Sequence, residues 1–282
     1  MLMRQHTVPA GVPETRLKNY LTRAFPAWPS WLIRETLKKK DVRVNGAKSG
    51  AEAVVRAGDT LSIYVDDRYF EAPLQMIYED DDWLVADKPA GVPVDSDGRG
   101  VGGDTMLARL KAHCPSARLC HRLDTGTGGV LIAAKNDQAE QAALRAFAAH
   151  DLVKLYRCIA VGQPPRDEAR LTAYLLKDAS ASSVRILEHP APGALSIETR
   201  YRLIEARDAL SLLEVRLMTG RTHQIRAHLS YVGLPLLGDD KYGDREENRR
   251  WHVSQPQLWC VRISLLGHTF ESRPRFSCRA FE

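Results

Sequence analysis

No apolar run in this 282-residue chain approaches the length of a membrane span; GGVLIAA is among the longest. No apolar block separates the early charge of MLMRQHTVPAGVP from its prolines, so no secretory signal is expected and the cytoplasm is the expected address. Cysteine is scarce, with five residues at 114, 120, 158, 260 and 278. The odd number and the lack of CxxC argue against a disulfide framework or a standard zinc site. HCPSARLCH gathers His113, Cys114, Cys120 and His121, but at a spacing unlike the common structural zinc patterns, so reduced, partly buried thiols are expected. Neither GxxxxGK followed by Ser or Thr nor GxSxG occurs, which removes the usual signatures of nucleotide hydrolysis and serine-hydrolase chemistry.

What is present is an ordinary globular composition, 44% hydrophobic and 27% charged, at a length suited to about two domains. The formal net charge of +5 favours a polyanionic partner. Between Pro13 and Asp66, ten Lys or Arg stand against six Asp or Glu, so most of the excess lies in the first quarter.

Local patterning divides the chain. In RLKNYLTRAF, Leu17, Tyr20, Leu21 and Ala24 recur at helical spacing, and Ser30 is positioned to cap WLIRETLKKK. DVRVNG then alternates into an Asn-Gly turn, and LSIYV alternates again. These segments predict a small basic α/β module at 13–66. Lys38, Lys39 and Lys40 end its second helix, where they either complement the helix dipole or meet a polyanion. A linker is expected at 67–72, ahead of a larger domain at 73–282.

In that larger domain, period-two patterns dominate: LQMIY, WLVAD, VLIAA, VRIL, IETRYRLIE, LSLLEVRLM and LWCVRISLL. Two helices interrupt them. One is QAEQAALRAFAAH, capped by Asn136 or Asp137; the other is HQIRAHLSYV, capped by Thr222, with Ile225, Leu229 and Val232 on one face. Strands that outnumber helices without alternating with them predict an α+β fold with a largely antiparallel mixed sheet. GRGVGG matches GxGxxG, but the turn-like PVDSD precedes it where a dinucleotide site needs a strand, so a loop is expected there. The acidic YEDDDW reads as a solvated turn.

The densest chemistry lies in HRLDTGTGG, residues 121–129, where Asp124 follows two cationizable side chains and precedes a run of Gly and Thr. No second carboxylate lies within several residues, which weakens a metal reading. A carboxylate nucleophile and a structural aspartate in a tight turn both remain open on spacing alone. His223 and His228 are five apart, on different sides of a helix, so joint metal binding is not expected.

HRLDTGTGG resembles the HRLDxxTSG signature of the RluA-type RNA pseudouridine synthases. DKPAGVPV resembles that family's Lys-Pro-x-Gly segment, KLYRCIAVG its Lys-x-Tyr motif, and MTGRTHQIRAHLSYVGLPLLGDDKYG its Gly-Arg-x-His-Gln-Ile-Arg segment. The amino-terminal module resembles the small αL RNA-binding domain. The likeness runs from Glu14 to about Gly267. Gly128 departs from the usual Ser and Cys158 from the usual Ala, and the end only loosely resembles the family's closing His-Pro segment.

The resemblance implies conversion of uridine to pseudouridine in RNA, most naturally large-subunit ribosomal RNA with transfer RNA as the alternative, without metal or cofactor. It implies that Asp124 is catalytic, that Arg221 pairs with it, and that Tyr156 stacks on the target base. Arg122 is expected to fill the gap left by the flipped nucleotide. His121 is expected to orient the catalytic loop. The expected RNA contacts are His121, Arg122, Lys154, His223 and Arg226 in the larger domain, with Lys38, Lys39, Lys40 and Arg43 in the basic module. The chain is expected to act as a monomer, away from membranes.

Overall fold

The computed structural model describes residues 2–25, 28, 30–65, 74–95, 105–149, 151–178 and 183–281. These fall into two compact units, Met1–Leu74 with Val92–His113 and Gln75–Gly91 with Cys114–Glu282. The expected linker at 67–72 and the GRGVGG segment lie outside the described residues, as does the Ser30 side chain.

The first unit runs β1 (Leu2–Thr7), β2 (Thr15–Arg16), α1 (Leu17–Ala24), α2 (Ser30–Lys39), β3 (Val42–Val44), β4 (Ala47–Lys48), β5 (Val54–Val55) and β6 (Thr60–Val65), with α3 (Met106–His113) after them. The apolar face read from α1 is the buried one: Leu17, Tyr20, Leu21 and Ala24 join Leu37, Leu61 and Ile63 in a single core. Asn45 and Gly46 both take positive φ, 50° and 85°, as a two-residue hairpin of this hand requires. A strand absent from the sequence reading, β1, pairs with β6 over six residues and starts the sheet order β1-β6-β3-β4. It lies outside the 13–66 span.

The second unit comprises β7 (Met76–Glu79), β8 (Trp83–Lys88), β9 (Arg118–Leu119), β10 (Gly128–Ala134), α4 (Asp137–Ala149), β11 (Leu152–Val161), β12 (Glu168–Asp178), β13 (Ser183–Leu187), β14 (Leu195–Arg207), β15 (Leu210–Leu217), α5 (Gln224–Tyr231), α6 (Arg245–Arg250), β16 (Leu258–Leu265) and β17 (His268–Glu271). Its main path is β13-β12-β14-β15-β11-β16-β10-β8-β7, with β17 beside β16 and β9 beside β10. Among the described ladders of this sheet only β10–β16 is parallel. The α+β class with a largely antiparallel mixed sheet is therefore the observed one.

Asn136 caps α4, its Oδ1 accepting from the Ala139 amide at 2.9 Å. Asp80 makes the acidic turn, its Oδ1 accepting from the amides of Asp82 and Trp83 at 2.9 and 2.6 Å. Two expectations for α5 need correction. Its cap is His223 in the left-handed region (φ 54°), with no side-chain capping bond, rather than Thr222. Val232 lies just past the helix end and is exposed, while Ile225 and Leu229 are buried as expected. All five cysteines are free thiols, four of them buried. Among the described residues no helix is long and apolar enough to cross a membrane.

Candidate active site

The loop carrying Asp124 is strung between β9 and β10. Lys88, at the end of β8, has a fully buried side chain, and its Nζ donates to the carbonyls of Pro89, Thr125 and Thr127 at 3.1, 3.0 and 2.7 Å. Three short bonds from one ammonium fix the backbone on the far side of Asp124. The Thr127 amide donates to the Asp124 carbonyl at 3.0 Å and closes the turn. Leu123 points into the core, while the Asp124 side chain keeps 26% of its surface exposed.

His121 holds the near side. Its Nε2 accepts from the Ile132 amide at 3.1 Å and its ring stacks on Phe147 of α4 with centroids 5.1 Å apart. Burial, with the Lys154 charge as a lesser cause, pushes its pKa down to about 3, so the ring is neutral. The accepting nitrogen and one ring face are thus engaged within the protein.

The carboxylate's partner comes from α5. Arg226 Nη1 donates to Asp124 Oδ2 at 3.3 Å. The same guanidinium grips Asp239 through Nε (2.7 Å) and Nη2 (2.8 Å) and reaches Asp240 at 3.4 Å. Arg226 is 8% and Asp239 0% exposed at the side chain. Burial works against the Arg226 charge, but the Asp239 hydrogen bonds and the Asp239 and Asp124 charges outweigh it and hold its pKa above the usual value. Burial raises the pKa of Asp239, but the Arg226 hydrogen bonds and charge outweigh it and hold it below the usual value, helped by the amides of Lys241 and Tyr242, which donate to Oδ1.

His223 stands 4.0 Å from Asp124 Oδ2 through Nε2, and its Nδ1 shares a 2.9 Å hydrogen bond with the Tyr242 hydroxyl. Burial lowers its pKa, with Asp124 pulling the other way. Gln224 locks this turn to the sheet: its Nε2 donates to the Glu198 carbonyl and Thr199 Oγ1 of β14, while its Oε1 accepts from the Arg221 amide and Thr219 Oγ1.

Arg221 itself is exposed. Among the described residues the arginine paired with Asp124 is Arg226, which corrects the expectation that Arg221 fills that place. The reason is positional. Arg221 precedes the left-handed cap at His223, so its side chain leaves the turn outward, whereas Arg226 projects from the first turn of α5. Arg122 is exposed as well.

Lys154 and Tyr156 alternate onto the same side of β11. Tyr156 is 6% exposed; burial pushes its hydroxyl pKa well above the usual value, and the neighbouring Cys260 thiol and the Asp124 charge add to that. Cys260, its cross-strand partner, is itself pushed up to about 12 by burial. Burial lowers the pKa of Lys154, whose Nζ lies 5.8 Å over the Phe147 ring. In the other unit, Lys38, Lys39 and Lys40 are exposed at the end of α2, and Arg43 lies over the Tyr64 ring at 5.4 Å. Among the described residues no group of three His, Cys, Asp or Glu side chains is arranged to hold a metal.

Local sequence periodicity does not mark Lys88, Asp239 or Tyr242, though each lies inside a segment that resembles the family. A lysine between apolar strand residues and a Pro-Gly turn was the available signal for Lys88.

Residues 82–231 match the family model described as RNA pseudouridylate synthase. The chain belongs to that family. Its RluA-type motifs fall where the site is built, and the matched span includes Asp124, Tyr156 and Arg226. The synthase is 35% identical over 252 residues to ribosomal large subunit pseudouridine synthase C of Escherichia coli, covering 83% of this chain and 78% of that one. It is 32% identical over 246 residues to the C enzyme of Vibrio parahaemolyticus (82% and 77%) and 31% identical over 265 residues to ribosomal large subunit pseudouridine synthase D of Xanthomonas campestris (86% and 75%). The fold resembles that of human RNA pseudouridylate synthase domain containing 4, at a TM-score of 0.60 and 20% identity over 71% of this chain and 88% of that one.

Proposed function

We propose that this synthase converts uridines of large-subunit ribosomal RNA to pseudouridine, with Asp124 as the catalytic residue. The observation that carries the assignment is the Asp124 carboxylate, partly open to solvent and held 3.3 Å from a buried, doubly anchored Arg226. An ionised carboxylate suits attack on the uracil ring or on the anomeric carbon of a flipped uridine. The glycosidic bond then breaks and the base turns; a carbon–carbon bond forms between carbon-5 and the anomeric carbon, the bond to Asp124 is released, and the proton lost from carbon-5 is balanced by one gained at the freed ring nitrogen. The reaction is an isomerisation, so it needs no external energy source.

Arg226 serves as the partner of Asp124, and Tyr156 closes the site beside the target base. Its pKa, raised first by burial, keeps the phenol neutral at ordinary pH, so it offers a hydroxyl rather than a phenolate. Arg122, exposed, is read as filling the gap left by the flipped nucleotide, and the exposed Arg221, the largely buried Lys154 and the half-buried His223 as further RNA contacts, His223 lying 4.0 Å from the Asp124 carboxylate. The basic module at 13–66, αL-like by resemblance, supplies a second footprint through Lys38, Lys39, Lys40 and Arg43. The linker at 67–72 joins it to the catalytic domain at 73–282. A cytoplasmic monomer is the form in which we expect the enzyme to act.

Mapping pseudouridines in total RNA with and without the gene tests this reading. Loss of one or more sites in large-subunit ribosomal RNA, restored by the wild-type gene but not by Asp124→Asn, is the expected result. Loss confined to transfer RNA would overturn the substrate, and no loss anywhere would overturn the activity.

A further inference from the structure

Side chains on β11, β12, β14 and β15 alternate between two faces of the sheet. Lys154, Tyr156 and Thr199 lie on the face that carries α5 and Asp124, so Leu155, Arg157 and Arg200 lie on the other. At one end of that second face Ile159, Leu210, Val161 and Leu212 pack with Phe276, Cys278 and Phe281. Beyond them, among the described residues, its arginines are exposed.

Two consecutive registers cross this exposed part. In one, Arg170, Arg200, Arg216 and Leu155 stand directly opposite one another on successive strands; in the next, Glu168, Arg202, Glu214 and Arg157 do. Seven of these eight positions are charged, and five are exposed arginines. Like charges directly opposite in a sheet are destabilising, and here three arginines stand abreast. Glu198 alone serves two of them, accepting from Arg170 and from Arg200 at 2.7 Å each. Arg202 is paired with Glu214 at 2.9 Å. Among the described residues no hydrogen bond or ion pair occupies the guanidinium of Arg157 or Arg216.

We propose that this exposed face binds the phosphate backbone of a second segment of the RNA, on the side of the sheet away from Asp124. The inference rests on the RNA-substrate reading and adds a surface that the chemistry does not use. Protein–protein interfaces also use arginine, but around an apolar core rich in aromatic residues and Met, and these two rows carry one Leu and no aromatic residue. Guanidinium forks match phosphate oxygens, and the mutual repulsion of the row is relieved when an anion lies across it.

The test compares wild type, Arg157→Gln/Arg216→Gln and Arg157→Lys/Arg216→Lys in the full chain. Affinity for a large-subunit ribosomal RNA transcript is measured across a salt series, and turnover on a short stem-loop containing the mapped target is measured alongside. The Gln pair should bind the long RNA on the order of fivefold more weakly per lost contact near 0.1 M salt, with a log–log salt slope smaller by about 0.7–0.9 per contact. Stem-loop turnover should be unchanged, and the Lys pair should bind close to wild type. Arg145→Gln/Arg249→Gln removes the same charge from helices and should have little effect.

Unchanged long-RNA affinity in the Gln pair would overturn the proposal. So would an equal loss in the helix control, or a Lys pair as weak as the Gln pair. Loss of binding to a ribosomal protein with RNA affinity intact would reassign the face to a protein partner. A wild-type enzyme inactive on every RNA would sink the proposed function, while the binding arms would still decide the surface.

Discussion

The indole of Trp259 occupies the volume that a side chain on Gly128 would need: a Cβ built there would lie 2.3 Å from Cζ3 and 2.5 Å from Cε3. Trp259 cannot easily retreat. Its Nε1 donates to Ser272 Oγ at 2.7 Å, Ser272 donates to Asp87 at 2.7 Å, and the Arg275 guanidinium lies 5.3 Å over the ring. The residue that replaces the family's usual Ser is thus matched to its register partner Trp259 on the adjacent strand β16, at the end of the catalytic loop. Gly128→Ala should destabilise by about 1–3 kcal/mol through overpacking and should lower turnover. In a Trp259→Leu background the same substitution should cost much less. Denaturant midpoints of the four proteins give the coupling; strictly additive losses would show that the two positions do not share this space.

Asp124→Asn should abolish pseudouridine formation while leaving RNA affinity within a few-fold of wild type. The carboxylate's proposed role is covalent, whereas binding is spread over many phosphate contacts. Substantial turnover by the purified variant on a validated RNA would remove Asp124 from the mechanism.

Arg226 and Arg221 should separate cleanly. Arg226→Ala leaves Asp239 buried without its counter-charge and should cost about 3–5 kcal/mol of stability. Arg226→Lys keeps the charge but cannot hold Asp239 and Asp124 together, so it should fold and lose most activity. Arg221→Ala should fold with wild-type stability, since the Arg221 side chain is exposed. Thermal melts and single-turnover rates decide the matter, and an Arg226→Lys enzyme at full rate would defeat the assignment.

Lys88→Met keeps the length of the side chain but strips the donors from three carbonyls around Asp124. A cost of about 2–4 kcal/mol is expected from the unsatisfied acceptors. Turnover should fall more than RNA affinity, because the loop geometry is lost and not the phosphate contacts. Equal stability of the two proteins in urea would show that the ammonium is dispensable.

His228 makes stability depend on acid. Its Nδ1 lies 3.0 Å from Thr199 Oγ1, and burial lowers its pKa to about 4 from 6.5. The unfolded chain therefore takes up the proton first as pH falls. The stabilisation is complete above about pH 6.5 and declines by roughly 1.4 kcal/mol per pH unit between 6.5 and 4. His121, lowered to about 3, acts in the same direction and extends the window downward. Urea midpoints measured from pH 7 to 4.5 should slope accordingly, with a shallower slope in His228→Gln; a flat profile would contradict both burials.

Much of the fold was legible because it rests on neighbours in sequence. The buried face of α1, the Asn-Gly hairpin and the cap of α4 each depend on residues within one or two turns. Strand β12 escaped because its outward positions carry Glu168, Arg170 and Thr172, so EARLT reads as polar surface until β14 pairs with it. Strand β1 is short and polar, and only β6 makes it a strand.

At the candidate site, sequence alone determined that Asp124 sits in a loop of small residues beside cations and that two arginines follow in one motif. Only the tertiary structure decided which arginine meets the carboxylate. Arg221 and Arg226 are five residues apart, and no periodicity ranks them. The choice follows from the left-handed turn at His223 and from Gln224, which bonds to β14 and aims α5. The Asp124–Arg226 contact spans 102 positions, and Asp239 orients it from 13 further on. Contacts of that separation are created when the sheet closes, so their partners are set by the geometry of the whole unit and not by local spacing.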